Sequence, residues 1–330
     1  MRDYQELIEK IDNLRVAVLG DAVLDRYIYG NVERISREAP IPVFEVIGVE
    51  ERLGGACNTA LNIRQLVSNV FVCSIISPDT FGNSLENLMQ KFDIKIEYLK
   101  IDPRVRTTVK DRYISKKQQM FRADIEDQGQ LPDDVVHSIL EGIKNLLNEV
   151  DLFVASDHCI NFFSERVFKL FEELHASGKV NLQNKPFYLD TRSNNYHYVK
   201  YASLYKVNQA DASAILGRKI ETLNDLHEFS AKVFAEKTVE LVVVTLGEKG
   251  SYLNDGSQGE LFDAQRVEIS DVSGAGDTFL AMFSLVHYAT KDFKLASRLA
   301  NRASARVVQR FGTSFLTKSE FLSDLQAVLI

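Results

Sequence analysis

Cysteine is scarce in this chain, and so is any excess of positive charge. The three cysteines among 330 residues, Cys57, Cys73 and Cys159, show no paired spacing and no C-x-x-C, and H-E-x-x-H is missing as well. A disulfide framework and a thiolate or zincin-type metal site are thereby excluded. The longest apolar runs, such as residues 279–286, fall far short of the roughly 20 residues that span a bilayer. Residues 1–13 are charged and amphipathic, unlike a signal or transit peptide. With 39 Lys+Arg against 46 Asp+Glu the net charge is −7, which argues against a general nucleic-acid binder. The expectation is a cytoplasmic protein with neither nucleic-acid nor membrane partners. What is abundant is core material: twenty Phe and twelve Tyr cannot stay solvated, so the chain folds around a large interior.

The order of patterns along the chain predicts an α/β fold. A short helix over residues 3–11 leads into the apolar run 14–19, which stops at Gly20-Asp21 and reads as a strand buried on both faces. Further buried strands are expected at 71–76, 152–155, 187–190, 204–207 and 241–246. Helical patterns alternate with them at 56–67, 81–92, 133–148, 164–177, 223–236, 277–289, 294–309 and 318–329. A hairpin-like stretch covers 250–267. Such alternation implies a mostly parallel sheet with helices on both faces. Residues 27–46 and 104–124 do not fit inside it. They are β-formers mixed with charges and broken by Gly30, Pro40 and Pro42, so they are expected as a small projecting β lid over the carboxyl ends of the core strands. No repeat or linker divides the chain, and 1–330 reads as one domain.

The sharpest chemical signal is Asp271-Val-Ser-Gly-Ala-Gly-Asp277, followed at once by an apolar helix. A small-residue loop entering a helix presents unpaired N–H groups and the positive end of the dipole, a setting for an anion. Asp277 at that terminus would lie beside the anion, placed to accept the proton of an attacking hydroxyl in a phosphoryl transfer. Read alone, the heptapeptide fits equally well a capping Asp after a tight turn. The front of the chain favours the chemical reading. Asp21 and Asp25 sit at a strand's carboxyl end, and Gly54-Gly55-Ala-Cys-Asn58 brings amides and an Asn to a helix start. Those groups suit vicinal sugar hydroxyls. Cys57 reads as a packing residue, and His158 as a structural histidine before a contact to substrate.

Neither a P-loop nor a dinucleotide-binding fingerprint is present, and the protein-kinase motifs are missing too. The motifs that are present resemble those of the ribokinase-type (PfkB) carbohydrate kinases over nearly the whole chain. Asp271 to Asp277 matches D-x-x-G-A-G-D, and Gly54 to Asn58 matches G-G-x-x-N; Asn208-Gln-Ala-Asp211 and Thr245-Leu-Gly-Glu-Lys-Gly250 follow in family order. The segments at 20–30, 34–43 and 51–56, with Gln118, Gln119 and Arg122, are similar to the heptose-phosphate kinases of the bacterial ADP-heptose pathway. Those enzymes phosphorylate the anomeric hydroxyl of D-glycero-D-manno-heptose 7-phosphate.

The resemblance implies a ribokinase-like fold and an ATP- and Mg2+-dependent sugar kinase. Asp277 would be the base, and the amides of Gly274, Ala275 and Gly276 the anion hole. Asn208 and Asp211 match the position that organises magnesium, where the family has Glu and the shorter Asp would act through water. Thr245, Gly247, Gly250, Asn301 and Ser304 would form the nucleotide site. Asp271 and Ser273 fall where some relatives bind a monovalent cation such as K+. Asp21, Asp25, Gly54, Gly55 and Asn58 would hold the sugar. Of the cations in or beside the lid, Arg34, Arg52, Lys110, Arg112, Lys117 and Arg122, the first choices for a substrate phosphate are Arg112 and Lys110. Two departures bear on the sugar: Ser156-Asp-His-Cys-Ile-Asn161 stands where the heptose kinases read S-D-Y-G-K-G, and Asp190-Thr-Arg192 where they read D-P-K. Kinases of ribose, fructose or fructose phosphates therefore stay open, as does a non-catalytic sugar- or nucleotide-sensing homologue. Apolar lid residues such as Ile28, Ile41, Val43 and Phe44 predict a homodimer through the lid.

Overall fold

The computed structural model describes residues 2–127 and 129–329. Helix α1 (Arg2–Asp12) leads into β1 (Arg15–Gly20), every residue of which after Arg15 is buried. Two long strands follow, β2 (Ala22–Ile35) and β3 (Pro42–Gly55), and then α2 (Ala56–Arg64), β4 (Asn69–Ile76), α3 (Thr80–Lys91) and β5 (Lys95–Ile101). The hairpin β6 (Thr108–Ser115) and β7 (Gln118–Ile125) comes next. After it the chain alternates: α4 (Asp133–Leu146), β8 (Leu152–Ser156), α5 (Glu165–Ala176), β9 (Phe187–Asp190), β10 (Tyr201–Asn208), α6 (Gln209–Leu216), α7 (Leu223–Glu236) and β11 (Thr238–Thr245). The hairpin β12 (Ser251–Asn254) and β13 (Gly259–Phe262) precedes α8 (Ala275–Thr290), α9 (Phe293–Val307) and α10 (Lys318–Leu329).

Nine strands form the main sheet in the order β13-β12-β11-β10-β9-β8-β1-β4-β5. All neighbours are parallel except β11 with β12 and β12 with β13. The central strands are apolar on both faces because both faces are covered. One core layer packs α2, α8 and α9 against the sheet through Val16, Val18, Leu280 and Phe283; the other packs α4, α5 and α7 through Ala17, Leu19, Ile139 and Phe171. The order reverses at β1, which has β8 on one side and β4 on the other. The carboxyl ends of β1 and β8 therefore border the crevice where open α/β sheets take ligands.

The lid is a separate four-stranded sheet, β3-β2-β6-β7. It reaches further into the core than the charged stretches suggest. β2 begins at Ala22, directly after β1, and β3 runs to Gly55, directly before α2. Its root is packed, with Leu24, Tyr27 and Ile28 buried, while its tip is exposed. Ile28 is thus a core residue of this chain rather than part of an open lid surface. Among the α-helices and β-strands, β5 and α6 are the ones the sequence patterns leave unread. β5 is an edge strand with little apolar alternation, and α6 is an eight-residue helix ended by Gly217 at φ 79. No described helix is long and apolar enough to cross a membrane.

Candidate active site

Asp277 lies in the first turn of α8. The turn exists because Gly274, the residue before the helix, adopts φ 79, a left-handed conformation that only glycine takes at little cost. A Cβ there would also stand 2.7 Å from the Asn58 side-chain nitrogen. Among the described residues the backbone N–H groups of Gly274, Gly276 and Asp277 have no partner, whereas that of Ala275 turns back to the Val272 carbonyl at 3.3 Å. The expected trio of amides is therefore Gly274 and Gly276 with Asp277 in place of Ala275, because the tight entry to the helix closes a turn through Ala275.

The Asp277 carboxylate is buried and accepts a hydrogen bond from Asn58 Nδ2 at 2.8 Å. Its pKa is pushed up to about 7, chiefly by burial, with the Asn58 bond and the Lys206 ammonium pulling the other way. Asn58 is braced in turn. Asn62, one turn further along α2, donates to the Asn58 carbonyl at 3.0 Å, and its own oxygen accepts from Thr278 Oγ1 and from Leu316 N–H. Gly55, at φ 56, starts α2 beneath this ladder. Asn58 thus faces the carboxylate of residue 277. Sequence reasoning passed over Asn62, although a second Asn four residues along a helix is a visible signal.

The two aspartates after β1 behave differently from each other. Asp21 is buried, and its oxygens accept from the backbone N–H groups of His158, Ile160, Asn161 and Phe162, at 2.9, 3.4, 3.3 and 3.0 Å. It holds the loop after β8 in place. Asp25 pairs with Arg112 at 2.5 Å, and that guanidinium also lies over the Tyr27 ring. Gly54 is needed beside them, because a Cβ would meet the Asp25 carboxylate at 2.7 Å. Lys110, two residues before Arg112 on β6, lies 3.6 Å from Glu126.

His158 is where the loop held by Asp21 reaches the Asp277 carboxylate. Its Nε2 stands 3.1 Å from Ser156 Oγ and 4.0 Å from Asp277 Oδ1. Burial and the charges of Arg192, Lys110 and Lys206 hold the imidazole neutral, with its pKa lowered to about 3. Asp157 points elsewhere, accepting from Thr191 Oγ1, Asn195 Nδ2 and the Cys159 N–H, and burial raises it to about 7. Arg192 is exposed at the end of β9 and makes no ion pair among the described residues. Lys206 on β10 is buried and pairs with Asp190. A charged residue inside the otherwise apolar run of β10 is the signal that could have found it.

The residues expected at the nucleotide also come together. Asn208 and Thr245 are register partners at the carboxyl ends of β10 and β11, and Thr245 faces Ser251 on β12. Asn301 donates to Ser251 Oγ and to the Phe262 carbonyl, and Ser304 to the carbonyl of Ala275. Gly247 and Gly250 flank the short turn between β11 and β12. Asp211 accepts from Ser193 N–H and Oγ and from Asn208 Nδ2. Asp271 ties two loops, accepting from Ser273 N–H at 2.9 Å and Gly312 N–H at 3.0 Å. Gly312 and Thr313 meet the lid: Arg52 donates to the carbonyls of Phe311 and Thr313, and the Thr313 N–H to the Tyr27 hydroxyl.

A cavity of about 580 Å³ opens under the lid, bordered by Tyr29, Asn31, Lys116, Lys117, Ser270 and Phe311. A second, of about 530 Å³, lies at the opposite end of β11. Its polar groups are already engaged: His287 with Tyr188, Glu240 with Tyr201, and Lys291 with the Gln183 carbonyl.

Comparison with known proteins places this arrangement. The pfkB family carbohydrate kinase profile matches residues 13–320. The D-beta-D-heptose 7-phosphate kinase of Bordetella bronchiseptica is 32% identical over 317 residues, covering 96% of this chain and 97% of that one. The bifunctional protein HldE of Desulfatibacillum aliphaticivorans is also 32% identical, over 97% of this chain but only 64% of its own length. The chain thus spans a little under two thirds of such bifunctional relatives. Among solved structures, phosphofructokinase-2 from Escherichia coli, in complex with substrates and products, superposes with a TM-score of 0.77 at 15% identity, covering 96% and 100% of the two chains. Arabidopsis thaliana ribokinase complexed with ribose and ATP superposes with a TM-score of 0.72 at 18% identity, covering 95% and 99%.

Proposed function

This chain belongs to the pfkB family of carbohydrate kinases, phosphotransferases with an alcohol group as acceptor, and from that membership we propose that it phosphorylates the anomeric hydroxyl of D-glycero-D-manno-heptose 7-phosphate. The observation that carries the reading is the Asp277 carboxylate, held by Asn58 next to two unpaired amides and facing a neutral His158 ringed by cations. The name of the Bordetella relative, matched along nearly its whole length, supports the choice of sugar.

In the proposed reaction the sugar hydroxyl gives its proton to Asp277 while its oxygen attacks the γ-phosphorus of ATP. The bond from that phosphorus to the bridging oxygen breaks, and ADP leaves. The free N–H groups of Gly274 and Gly276 meet the charge on the phosphoryl oxygens. A base with a pKa near neutrality is matched to this task. Lys110, Arg192 and the two lysines of the β6–β7 turn in the lid, Lys116 and Lys117, supply positive charge for the phosphate already on the sugar.

Kinases of this family use magnesium with ATP. No described cluster of three acidic, His or Cys side chains forms a cage for a metal, which fits an ion carried mainly by phosphate oxygens and water. Asn208 and Asp211 would hold its hydration shell, and the bound ion would supply charge neutralisation. Asp271 and Ser273 are the proposed surroundings of a monovalent cation, tested by comparing activity in potassium and in a bulky organic cation. The chain works as one kinase unit, its lid strands growing out of the core, and pairs with a second copy through the exposed lid tip. A cytoplasmic setting suits ATP as donor and three free thiols.

The test is an ADP-release assay over heptose 7-phosphate, the same heptose without phosphate, fructose 6-phosphate and ribose. The expected outcome is a kcat/KM for heptose 7-phosphate at least about 100-fold above the others, with a new phosphate that is acid-labile, as phosphates on an anomeric carbon are. Preference for ribose or fructose 6-phosphate would overturn the choice of sugar.

A further inference from the structure

Lys206 has no role in the reading above, yet it is the most deeply buried cation near the base. β10 is an interior strand between β9 and β11, and the residues from Tyr201 to Val207 are all buried. A lysine there forfeits the hydration of its ammonium, a loss that one carboxylate rarely makes good. Its ion-pair partner is Asp190, its register neighbour on β9. An ammonium carries three donors, and this bond uses one. The Nζ also stands 3.4 Å from the point a Cβ on Gly276 would occupy. It thus borders the unpaired Gly276 N–H at the mouth of α8. Its charge reaches Asp277 on one side and His158 on the other.

A cation kept for stability alone would gain nothing from this address, since a matched apolar pair would serve the packing between β9 and β10 at least as well. The address does suit a transferring phosphoryl group, whose catalysis rests on positioned positive charge and donors around its equatorial oxygens. Resting on the kinase reading but not on the identity of the sugar, we propose that Lys206 is a catalytic residue. Its ammonium contacts the γ-phosphoryl group beside the Gly276 N–H and stays on it during transfer, with Asp190 as the positioning residue that holds the lysine stem in line. No proton leaves Lys206 in this step; Asp277 alone takes the proton of the acceptor.

The test compares wild type with Lys206→Met, Lys206→Arg and the double variant Lys206→Met/Asp190→Asn. The double variant leaves no buried charge unpaired, so it separates folding from chemistry. Dissociation constants are measured for Mg-ADP and for a non-hydrolysable Mg-ATP analogue, with no sugar present. Expected is an unchanged ADP affinity, with the ATP analogue bound about 10-fold more weakly by both methionine variants and partly restored in Lys206→Arg. In turnover, kcat falls about 100-fold while KM for the sugar stays within about threefold. Equal loss of both nucleotides, no loss of either, or a raised sugar KM with kcat intact would each overturn the proposal. The binding comparison needs no acceptor, so an error in the sugar leaves it untouched.

Discussion

At the scale of single residues, Asp277 as the proposed base links the chemistry to the pH response. Its carboxyl titrates near 7 instead of near 3.8 because it is buried. The base must be ionised to accept a proton, so kcat should rise with pH and level off above about 7. Asp277→Asn should lower kcat by two to four powers of ten, roughly the worth of a positioned base, with ATP still bound. Its effect on stability has the opposite sign. A carboxyl raised in the folded state contributes fully below its ordinary value and loses that contribution as pH climbs through about 7. The Asn variant should therefore gain on wild type between pH 4 and pH 7, by at most about 4 kcal/mol, read from urea unfolding at pH 5 and pH 8. Asn58→Ala removes the donor that favours the charged form, so it should push the rising limb of kcat to higher pH. An unmoved limb would mean that Asn58 does not set the charge of the base.

Which residues were legible in advance follows from how local their roles are. Asp277 and its glycines announce themselves, because a small-residue loop and the helix it opens are neighbours in sequence. Lys206 and Asp190 do not, since their pairing is fixed by the register of two parallel strands. Asp21 read as a sugar ligand at a strand end. Its capture of four amides depends on a loop some 140 residues away reaching it across the β1–β8 boundary. In sequence Asp25 and Arg112 each fit a substrate contact, and their mutual pairing shows only once β2 and β6 lie side by side.

At the scale of elements, the site is a junction of two helix starts. α2 opens at Gly55 and α8 after Gly274, and the Asn58–Asn62 ladder fastens one to the other. That geometry leaves no room at residue 274. Gly274→Ala forces a side chain onto φ 79 and against the Asn58 amide, 2.7 Å away. The variant should lose about 1–3 kcal/mol of stability and at least about tenfold in kcat, measured by thermal unfolding and ADP release. A fully active Gly274→Ala enzyme would show that the helix mouth can shift without harm. The elements were mostly legible because buried strands and amphipathic helices carry different periods. β5 and α6 were not, being an edge strand without clear alternation and a helix of two turns. The lid starts nearer the core than the charged stretches 27–46 and 104–124 suggest. Charge marks its exposed tip, whereas its root at Leu24 and Tyr27 is apolar and reads like any core strand.

At the scale of the whole molecule, the order reversal at β1 gathers the front of the chain, the loop after β8 and the start of α8 into one crevice, and the lid closes over it. The lid is tied to the catalytic end through Arg52 and Tyr27, which grip residues 311–313, and through Gly312, which donates to Asp271 at the head of the α8 loop. Beyond that grip its strands are poorly covered. Ile41, Val46, Ile47, Val49, Met120 and Phe121 are all exposed, Ile47 by 69%. A long apolar edge left to water invites pairing with another strand. A second copy of the same lid offers the same surface, and a self-complementary contact closes as a dimer. Under the proposed pairing, Val46→Glu combined with Val49→Lys, neither of which borders the lid cavity, should therefore give a monomer by sedimentation while the core stays folded. Because the lid is fastened to the crevice, the monomer should also show a raised KM for the sugar with the ADP affinity unchanged. A double variant that sediments as wild type would remove the lid from the dimer interface, and a monomer with wild-type KM would uncouple subunit pairing from the site.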